Sequence, residues 1–230
     1  ITDQAARIPY RFGFTGTLPE DESQKLQVHT ALGPVRNVMP AADLIEQGVL
    51  ADLHISVLQL EEDLQEEYQL FCDEECISLT PPSYAEFKAD YFPDYASERS
   101  YRSRNRARSE WIASCVEQQR DAAKGNTLVL VDNIPSARLL AKMIPGAYLV
   151  NGTDMADTSK RQEVYNLFAT RDDLVVVATV NVAGTGLSIN RIFNLVLVDI
   201  GKSFIRVIQA IGRGLRKAHD KDFVNVIDIC

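Results

Sequence analysis

The second half of the chain alternates between short aliphatic runs and longer amphipathic stretches. The aliphatic runs are rich in Val, Leu and Ile, and they predict strands at residues 127–131, 148–150, 174–180, 195–198 and 223–229. The amphipathic stretches predict helices at residues 135–144, 159–168 and 203–217. Continuous β-branched runs that alternate with helices are typical of a parallel sheet covered on both faces. The pattern therefore predicts an α/β fold in which helices flank a parallel sheet.

The first half of the chain is less regular. Residues 41–50 predict a short helix that ends at Gly48, and residues 54–60 predict a further strand. An acidic block at residues 61–75 follows, and after it come loosely spaced aromatic residues. We expect these aromatic residues to form an aromatic surface on a helix and loop. These aromatic residues are Tyr84, Phe87, Tyr91, Phe92 and Tyr95. The arginine-rich residues 99–120 predict one helix whose apolar side consists of Trp111, Ile112, Cys115 and Val116.

Composition places the chain among ordinary globular proteins. It has 230 residues, of which 46% are hydrophobic and 24% charged, and this suits one α/β domain or one domain with an appendage. The net charge of −8 argues against a surface coated by nucleic acid, although it allows a local basic groove. No apolar run approaches the ~20 residues of a membrane span. The chain opens on Ile1 without a signal-peptide pattern. We therefore expect a cytoplasmic protein that has no membrane partner. We also expect this chain to be a fragment of that protein.

The cysteines and histidines do not indicate a metal site. The chain has 4 Cys and 3 His. Cys72 and Cys76 have no matching second pair, and the histidines are scattered. We expect no metal ligands and reduced thiols.

The predicted helix at residues 203–217 has two different faces. At about 100° per residue, its apolar face carries Phe204, Ile208, Ile211 and Leu215. The nearly opposite face carries Arg206, Gln209, Arg213 and Arg216. Ser203 is suited to cap the amino end of this helix. The planar donor fork of arginine suits phosphate, but an ordinary amphipathic helix also has a solvated basic face. Spacing by itself leaves both interpretations open.

Polar residues follow several of the predicted strands. They lie at residues 132–133, 151–153, 179–188 and 199–203. In open parallel sheets, ligands bind beyond the carboxyl ends of the strands. In residues 178–188, Gly184 and Gly186 would let the backbone approach a ligand, and the hydroxyl groups could bind phosphate. An ordinary strand-to-helix turn is the alternative.

Four short motifs occur along the chain in a fixed order. They are Thr15-Gly16-Thr17, residues 129–133, residues 178–188, and Gln209-x-x-Gly212-Arg213-x-x-Arg216. In this order they resemble the third to sixth motifs of superfamily 2 helicases and translocases. The amino-acid sequences of three of them are most similar to those of phage UvsW-type repair and recombination helicases, which remodel branched DNA.

This resemblance implies a particular domain organisation. Residues 41–230 would form the second RecA-like lobe, and residues 1–40 would be the tail of the first lobe. Thr15, Gly16 and Thr17 would couple the nucleotide and nucleic-acid sites. ATP and Mg²⁺ would be held mainly by the absent first lobe. The sequence has no Walker A pattern, because Gly201-Lys202-Ser203 lacks the earlier glycine, and it has no D-E-x-H box. We therefore do not expect this chain alone to hydrolyse ATP.

The resemblance also implies roles for single residues. Arg213 and Arg216 would reach the β- and γ-phosphates of ATP, and Gln209 would sense the γ-phosphate or the attacking water. The residues expected near the nucleotide are Gly184, Gly186 and Ser188, although Ser188 stands where many members carry Asp or Asn. The residues expected to grip the sugar-phosphate backbone are Asn133, Gly152 and Thr179. The partners would be single-stranded or branched DNA and the protein's own first lobe, in the host cytoplasm if the protein is encoded by a phage.

Two alternative functions, and the partners of one group of arginines, stay open at this point. The chain could be a non-catalytic RecA-like module that binds nucleic acid or a protein. It could belong to a double-strand translocase of the chromatin-remodeller or restriction type. The arginines between residues 99 and 108, with Tyr101, could contact nucleic acid, or they could pair with the preceding acidic block or stay solvated.

Overall fold

The fold was analysed in a computed structural model of the chain. The structure describes residues 12–13, 18–19, 21–36, 39–61, 63–75, 82–122, 125–183, 189, 191–200, 209, 211–212 and 214–230.

A six-stranded parallel sheet forms the centre of the described structure. Its strands are β1 (Asp52–Leu58), β2 (Asn126–Val131), β3 (Tyr148–Val150), β4 (Val175–Thr179), β5 (Ile192–Val198) and β6 (Phe223–Ile229). Their order across the sheet is β1-β6-β5-β2-β4-β3. Every residue of β2, β4 and β5 is buried, because their aliphatic side chains are covered on both faces. The predicted α/β parallel sheet is confirmed, and β1 begins slightly earlier than its predicted range.

The described helices precede β1 or lie between the strands in sequence. They are α1 (Glu22–Leu32), α2 (Ala41–Glu46), α3 (Gln65–Glu75), α4 (Tyr84–Tyr91), α5 (Tyr95–Arg102), α6 (Arg106–Ala122), α7 (Ile134–Met143), α8 (Thr158–Asn166) and α9 (Val180–Ala183). A 3₁₀ turn, Leu167–Ala169, continues α8. Residues 209, 211, 212 and 214 are also helical, and we call the described residues from 209 to 216 the arginine segment.

Two hydrophobic cores lie on opposite faces of the sheet. One core joins β4, β5 and β6 to α8, the 3₁₀ turn and Leu215 of the arginine segment. Ile45 and Leu50, from α2 and the turn after it, pack against the same core. The other core joins α6 and α7 to the opposite side chains of β2, β4 and β5. Helices therefore flank both faces, as the sequence pattern predicted.

The arginine-rich region differs from its prediction. Residues 99–120 form the end of α5 and most of α6, and not one helix. The interruption is at Asn105, whose Oδ1 accepts a hydrogen bond of 3.0 Å from the backbone N–H of Arg108. An asparagine at this point starts a new helix, because its side chain caps an unsatisfied backbone donor. Ile112 is buried as predicted, but Trp111 is 42% exposed and does not belong to the buried side.

The predicted aromatic surface is wrong in its central residue. Phe87 is buried, and its ring centroid lies 5.3 Å from that of Tyr68 and 5.6 Å from that of Tyr91. These rings pack on one another between α3 and α4. The acidic residues that surround Tyr68 in the sequence conceal this small core from a pattern-based reading.

Candidate functional site

Strand register brings several predicted site residues to one edge of the sheet. Val131, the last residue of β2, is aligned with Thr179 on β4 and with Val198 on β5. On the far side of β4, Val150 of β3 is aligned with Ala178. The turns that follow β2, β3 and β4 therefore leave the sheet side by side. Asn133 and Gly152 belong to the turns after β2 and β3, and Thr179 is the last residue of β4, so the three residues share this edge as the parallel topology predicted.

Asn133 connects β2 to the helix that follows it. It is the N-cap of α7, and its Oδ1 accepts a 2.8 Å hydrogen bond from the backbone N–H of Ser136. Pro135 at the start of the helix supports this geometry, because a proline there removes no needed donor. The amide of Asn133 is therefore held by its cap, and it is partly exposed at the carboxyl edge of the sheet.

A hydrogen-bonded turn holds Gly152 after β3. Asn151 is fully buried; its Oδ1 accepts from the backbone N–H groups of Thr153 and Asp154, and its Nδ2 donates to the Asp154 carboxylate at 2.7 Å. Arg138 donates to both oxygens of Asp154, at 2.6 and 2.7 Å. Hydrogen bonds from the Arg138 guanidinium and, to a smaller extent, from Asn151 lower the pKa of Asp154 to about 2. The turn is therefore fixed by polar contacts while Gly152 itself stays exposed.

Thr179 is more enclosed than the other two residues at this edge. It ends β4, is only 5% exposed, and leads directly into α9. A methyl group placed on Gly152 would lie 3.7 Å from Val182 in α9, so the turns after β3 and β4 are in contact.

Seven of the residues predicted for the site lie outside the described residues. They are Thr15, Gly16, Thr17, Gly184, Gly186, Ser188 and Arg213. Their predicted roles stay predictions.

Arginines of α5 and α6 occupy the same edge of the sheet near β2 and β5. Arg99 forms an ion pair with Asp132, and Asp199 accepts from Arg102 at 3.4 Å and from Arg108 at 3.0 Å. Arg108 is only 7% exposed. Arg99, Arg102 and Arg108 therefore pair with carboxylates just beyond the ends of β2 and β5, which lie outside the acidic block.

Asp199 also has an unusual backbone conformation. Its φ of 48° lies in the left-handed region, which a short polar residue tolerates better than most others. The pKa of the neighbouring Asp228 is raised, mainly by burial and to a smaller extent by the charge of Asp199. The arginine pairs therefore offset a concentration of negative charge at the point where the chain leaves β5.

The arginine segment crosses the other face of the sheet. Leu215 is buried, Ile211 packs against the core, and Gln209 is exposed, which agrees with the two predicted faces. The backbone N–H of Leu215 donates to the carbonyl of Ile211 at 3.1 Å. Arg216 is partly buried, and its backbone forms a β-bridge with Leu50, just before β1.

Lys221 is a site residue that the sequence reading missed. Its ammonium group donates to the carbonyls of Gly214 and of Arg216, the latter at 2.8 Å. The residue is only 1% exposed, and burial lowers its pKa to about 8. Lys221 stands between Asp220 and Asp222, so its local sequence is that of a solvated loop and carries no signal of burial.

The predicted site residues therefore lie in two places. Asn133, Gly152 and Thr179 share the carboxyl edge of the sheet, at the ends of β2, β3 and β4. Gln209 and Arg216 belong to a helical segment on one face, and Arg216 lies next to the start of β1.

A comparison with protein families identifies this arrangement. Residues 109–218 match the model of the helicase conserved C-terminal domain. This part of the chain is similar to a helicase C-terminal domain. The match includes β2 to β5 and the whole arginine segment, so the matched region contains both groups of predicted residues.

One curated relative is similar over almost the whole chain. The ATP-dependent DNA helicase uvsW of Enterobacteria phage T4 is 25% identical over 226 residues, which are 96% of this chain. The chain spans only 40% of the length of that relative. The resemblance to superfamily 2 helicases, and to the phage UvsW type among them, is thereby confirmed.

Solved structures agree on the fold of the helicase domain. The crystal structure of T4 UvsW superposes with a TM-score of 0.54 and 23% identity, covering 78% of this chain and 33% of that one. A putative HsdR subunit of a type I restriction enzyme from Vibrio vulnificus YJ016 gives a TM-score of 0.63 and 16% identity, covering 92% and 38%. The predicted RecA-like fold is therefore confirmed.

The described residues contain neither a candidate membrane span nor a candidate metal site. No described helix is both long enough and apolar enough to cross a membrane. Within the same residues, no three His, Cys, Asp or Glu side chains are grouped so that they could hold a metal ion.

Proposed function

We propose that this chain is the second RecA-like lobe of an ATP-driven superfamily 2 DNA helicase or translocase. In this proposal residues 41–230 form the second lobe and residues 1–40 are the end of the first. The first lobe holds ATP with its Mg²⁺, and this chain alone does not hydrolyse ATP. The observation that carries the proposal is the Gln209–Arg216 motif, which lies within the matched domain on a helical segment docked against the sheet.

The proposed nucleotide contacts come from the arginine segment. Arg213 and Arg216 reach the β- and γ-phosphates across the cleft between the lobes, and Arg216 is the arginine finger. Gln209, which is exposed, senses the γ-phosphate or the attacking water. A guanidinium at this point stabilises the charge that develops during phosphoryl transfer, and such fingers are worth ~10³-fold or more in rate.

The proposed DNA contacts come from the carboxyl edge of the sheet. Asn133, Gly152 and Thr179 lie at or just beyond the carboxyl ends of three neighbouring strands of the sheet, which suits contacts to successive phosphates of one DNA strand. Contacts to the sugar-phosphate backbone carry no sequence information, as a motor that moves along any sequence requires. Gly184, Gly186 and Ser188, which follow α9 in the sequence, would connect this edge to the nucleotide.

The proposed substrate is branched DNA in repair or recombination. Similarity to a phage DNA helicase over 96% of the chain supports this choice. If the protein is encoded by a phage, it acts in the host cytoplasm.

The proposal is tested with the full-length protein. We expect ATP hydrolysis that DNA stimulates, with branched DNA stimulating more than single-stranded or duplex DNA. Strand separation is measured on the same substrates. Stimulation by duplex DNA without strand separation would indicate a double-strand translocase, and DNA binding without ATP hydrolysis would indicate a non-catalytic module; either result contradicts the proposal.

A further inference from the structure

The carboxyl end of the arginine segment is held by an unusual set of donors. The last carbonyls of a helix have no partner within the helix, so they need donors from elsewhere. Here the carbonyl of Leu215 accepts from the backbone N–H of Ala51 at 2.9 Å. The carbonyls of Gly214 and Arg216 both accept from the ammonium group of Lys221. Three consecutive carbonyls, including that of Arg216 itself, are therefore fixed by two residues.

Lys221 is a charged group in a place that is unfavourable for charge. It is almost completely buried, and none of the described carboxylates forms an ion pair with it. Burial of an unpaired ammonium group destabilises the folded state unless another group compensates for it. The negative end of the helix dipole provides that compensation, because the carbonyls at a carboxyl end favour a cation. The ammonium group is thus tied to this helix end and not to a neighbouring acid.

The loop that carries Lys221 is itself anchored. Its backbone N–H donates to the carbonyl of Ala218 at 3.2 Å. The next residue back, Asp220, accepts from Arg191 at 3.1 Å, and Arg191 also donates to the carbonyls of Phe168 and Ala169. Arg191 lies directly before β5, so these contacts connect the loop to the sheet. Lys221 can therefore transmit a fixed position from the sheet to the arginine segment.

We infer that Lys221 is a positioning residue for Arg216: its buried ammonium group fixes the backbone from which the Arg216 guanidinium reaches the phosphates. This inference rests on the proposed role of Arg216 as the arginine finger. Catalytic groups lose much of their effect when they are displaced, and a 1 Å misplacement can cost about 10²-fold in rate. The Arg216 carbonyl accepts from this ammonium group at 2.8 Å, so loss of the group removes a hydrogen bond that holds the backbone of Arg216.

The test uses Lys221→Met in the full-length protein, because methionine keeps the unbranched apolar chain and removes the donors. We expect kcat for DNA-stimulated ATP hydrolysis to fall about 10- to 100-fold. The KM for ATP and the Kd for DNA stay within about twofold, since ATP is held mainly by the first lobe, DNA by other residues, and the finger acts mainly on the charge that develops during phosphoryl transfer. Binding of ADP with aluminium fluoride, which mimics the transferring phosphoryl group, weakens in proportion to kcat. Lys142→Met is the matched control, because Lys142 is an exposed lysine on α7, and it keeps the wild-type kcat.

A second pair of variants covers the case in which Lys221→Met does not fold. Lys221→Arg keeps a cation with several donors, and Lys221→Gln keeps one short neutral donor group. We expect kcat to decrease in the order wild type, Arg, Gln. Wild-type kcat in either the Met or the Gln variant would overturn the inference, and so would equal losses in kcat and in DNA affinity.

Arg216→Ala, measured in parallel, separates this inference from the proposed function. If Arg216→Ala is inactive and Lys221→Met is fully active, the finger stands and the positioning role falls. If Arg216→Ala turns over ATP normally, the proposed function itself falls.

Discussion

At the scale of single residues, the end of the arginine segment depends on one buried ammonium group. Lys221 has a pKa of about 8, against a usual value of 10.5, because burial disfavours its charged form. Its burial cannot be inferred from a loop that contains Asp220 and Asp222. A sequence pattern places such a lysine in solvent, because its burial arises from contacts with the carbonyls of Gly214 and Arg216. The role of Arg216, by contrast, is predicted from the sequence, because the motif that contains this residue is local.

The lowered pKa of Lys221 predicts how stability depends on pH. Below about pH 8 the lysine is protonated in both the folded and the unfolded state, so it adds no pH dependence. Between about 8 and 10.5 the folded state loses this proton while the unfolded state keeps it. Stability rises with pH wherever the unfolded state binds more protons. We therefore expect the wild type to gain stability relative to Lys221→Met as pH rises through this window.

This prediction is measured as the difference in unfolding free energy between the wild type and the variant, at intervals from pH 7 to pH 10. Other titrating groups are shared by both proteins and largely cancel in the difference. The difference between the wild type and Lys142→Met, an exposed position, should stay constant over this range. A constant difference for Lys221→Met as well would contradict the assignment.

At the scale of elements, the arginine segment lies close to the sheet because a glycine faces it. A methyl group on Gly214 would lie 3.1 Å from Val224 and 3.6 Å from Leu195, on β6 and β5. Gly212, in the same segment, is exposed and has no atom within 4 Å of such a methyl group. The two glycines therefore serve different purposes, although both stand in the same short motif region.

Alanine at these two positions forms a matched pair. We expect Gly214→Ala to lower the free energy of unfolding by about 1 kcal/mol, because overpacking of about 1–3 kcal/mol exceeds the gain in helix propensity. Gly212→Ala should leave stability unchanged or raise it by about 0.5–1 kcal/mol, since alanine is the better helix former. Urea unfolding of both variants measures the difference. Equal effects on stability would mean that the segment does not pack as closely as described.

The elements differ in how far they could be predicted. Strands β2, β4 and β5 follow from aliphatic runs, because a strand buried on both faces leaves a continuous apolar signal. The region from α3 to α6 could not be resolved in this way. Phe87 is buried by other rings, and Arg108 is buried by its ion pair with Asp199, which is distant in sequence. Neither kind of burial leaves a periodic pattern.

At the scale of the whole molecule, the sheet separates two sets of candidate contacts. The predicted DNA contacts lie along the carboxyl edge, and Arg216 lies on one face, next to the residues that lead into β1. The parallel topology made the first set predictable from sequence, because the ends of neighbouring strands meet at one edge. The connection between Arg216 and Leu50 was not predictable, because it joins two segments that are far apart in the chain. It links the lead-in to β1 with the proposed nucleotide contact.

The central claim is that Arg216 stabilises charge during ATP hydrolysis at a site shared with a first lobe. The most direct measurement is single-turnover ATP hydrolysis by full-length Arg216→Ala with DNA bound, next to Arg171→Ala, an exposed arginine outside the motif, as the control. We predict that the Arg216 variant loses ~10³-fold or more in the hydrolysis rate, while its fold and DNA affinity stay close to those of the wild type and the control remains active. Normal turnover in Arg216→Ala would contradict the account.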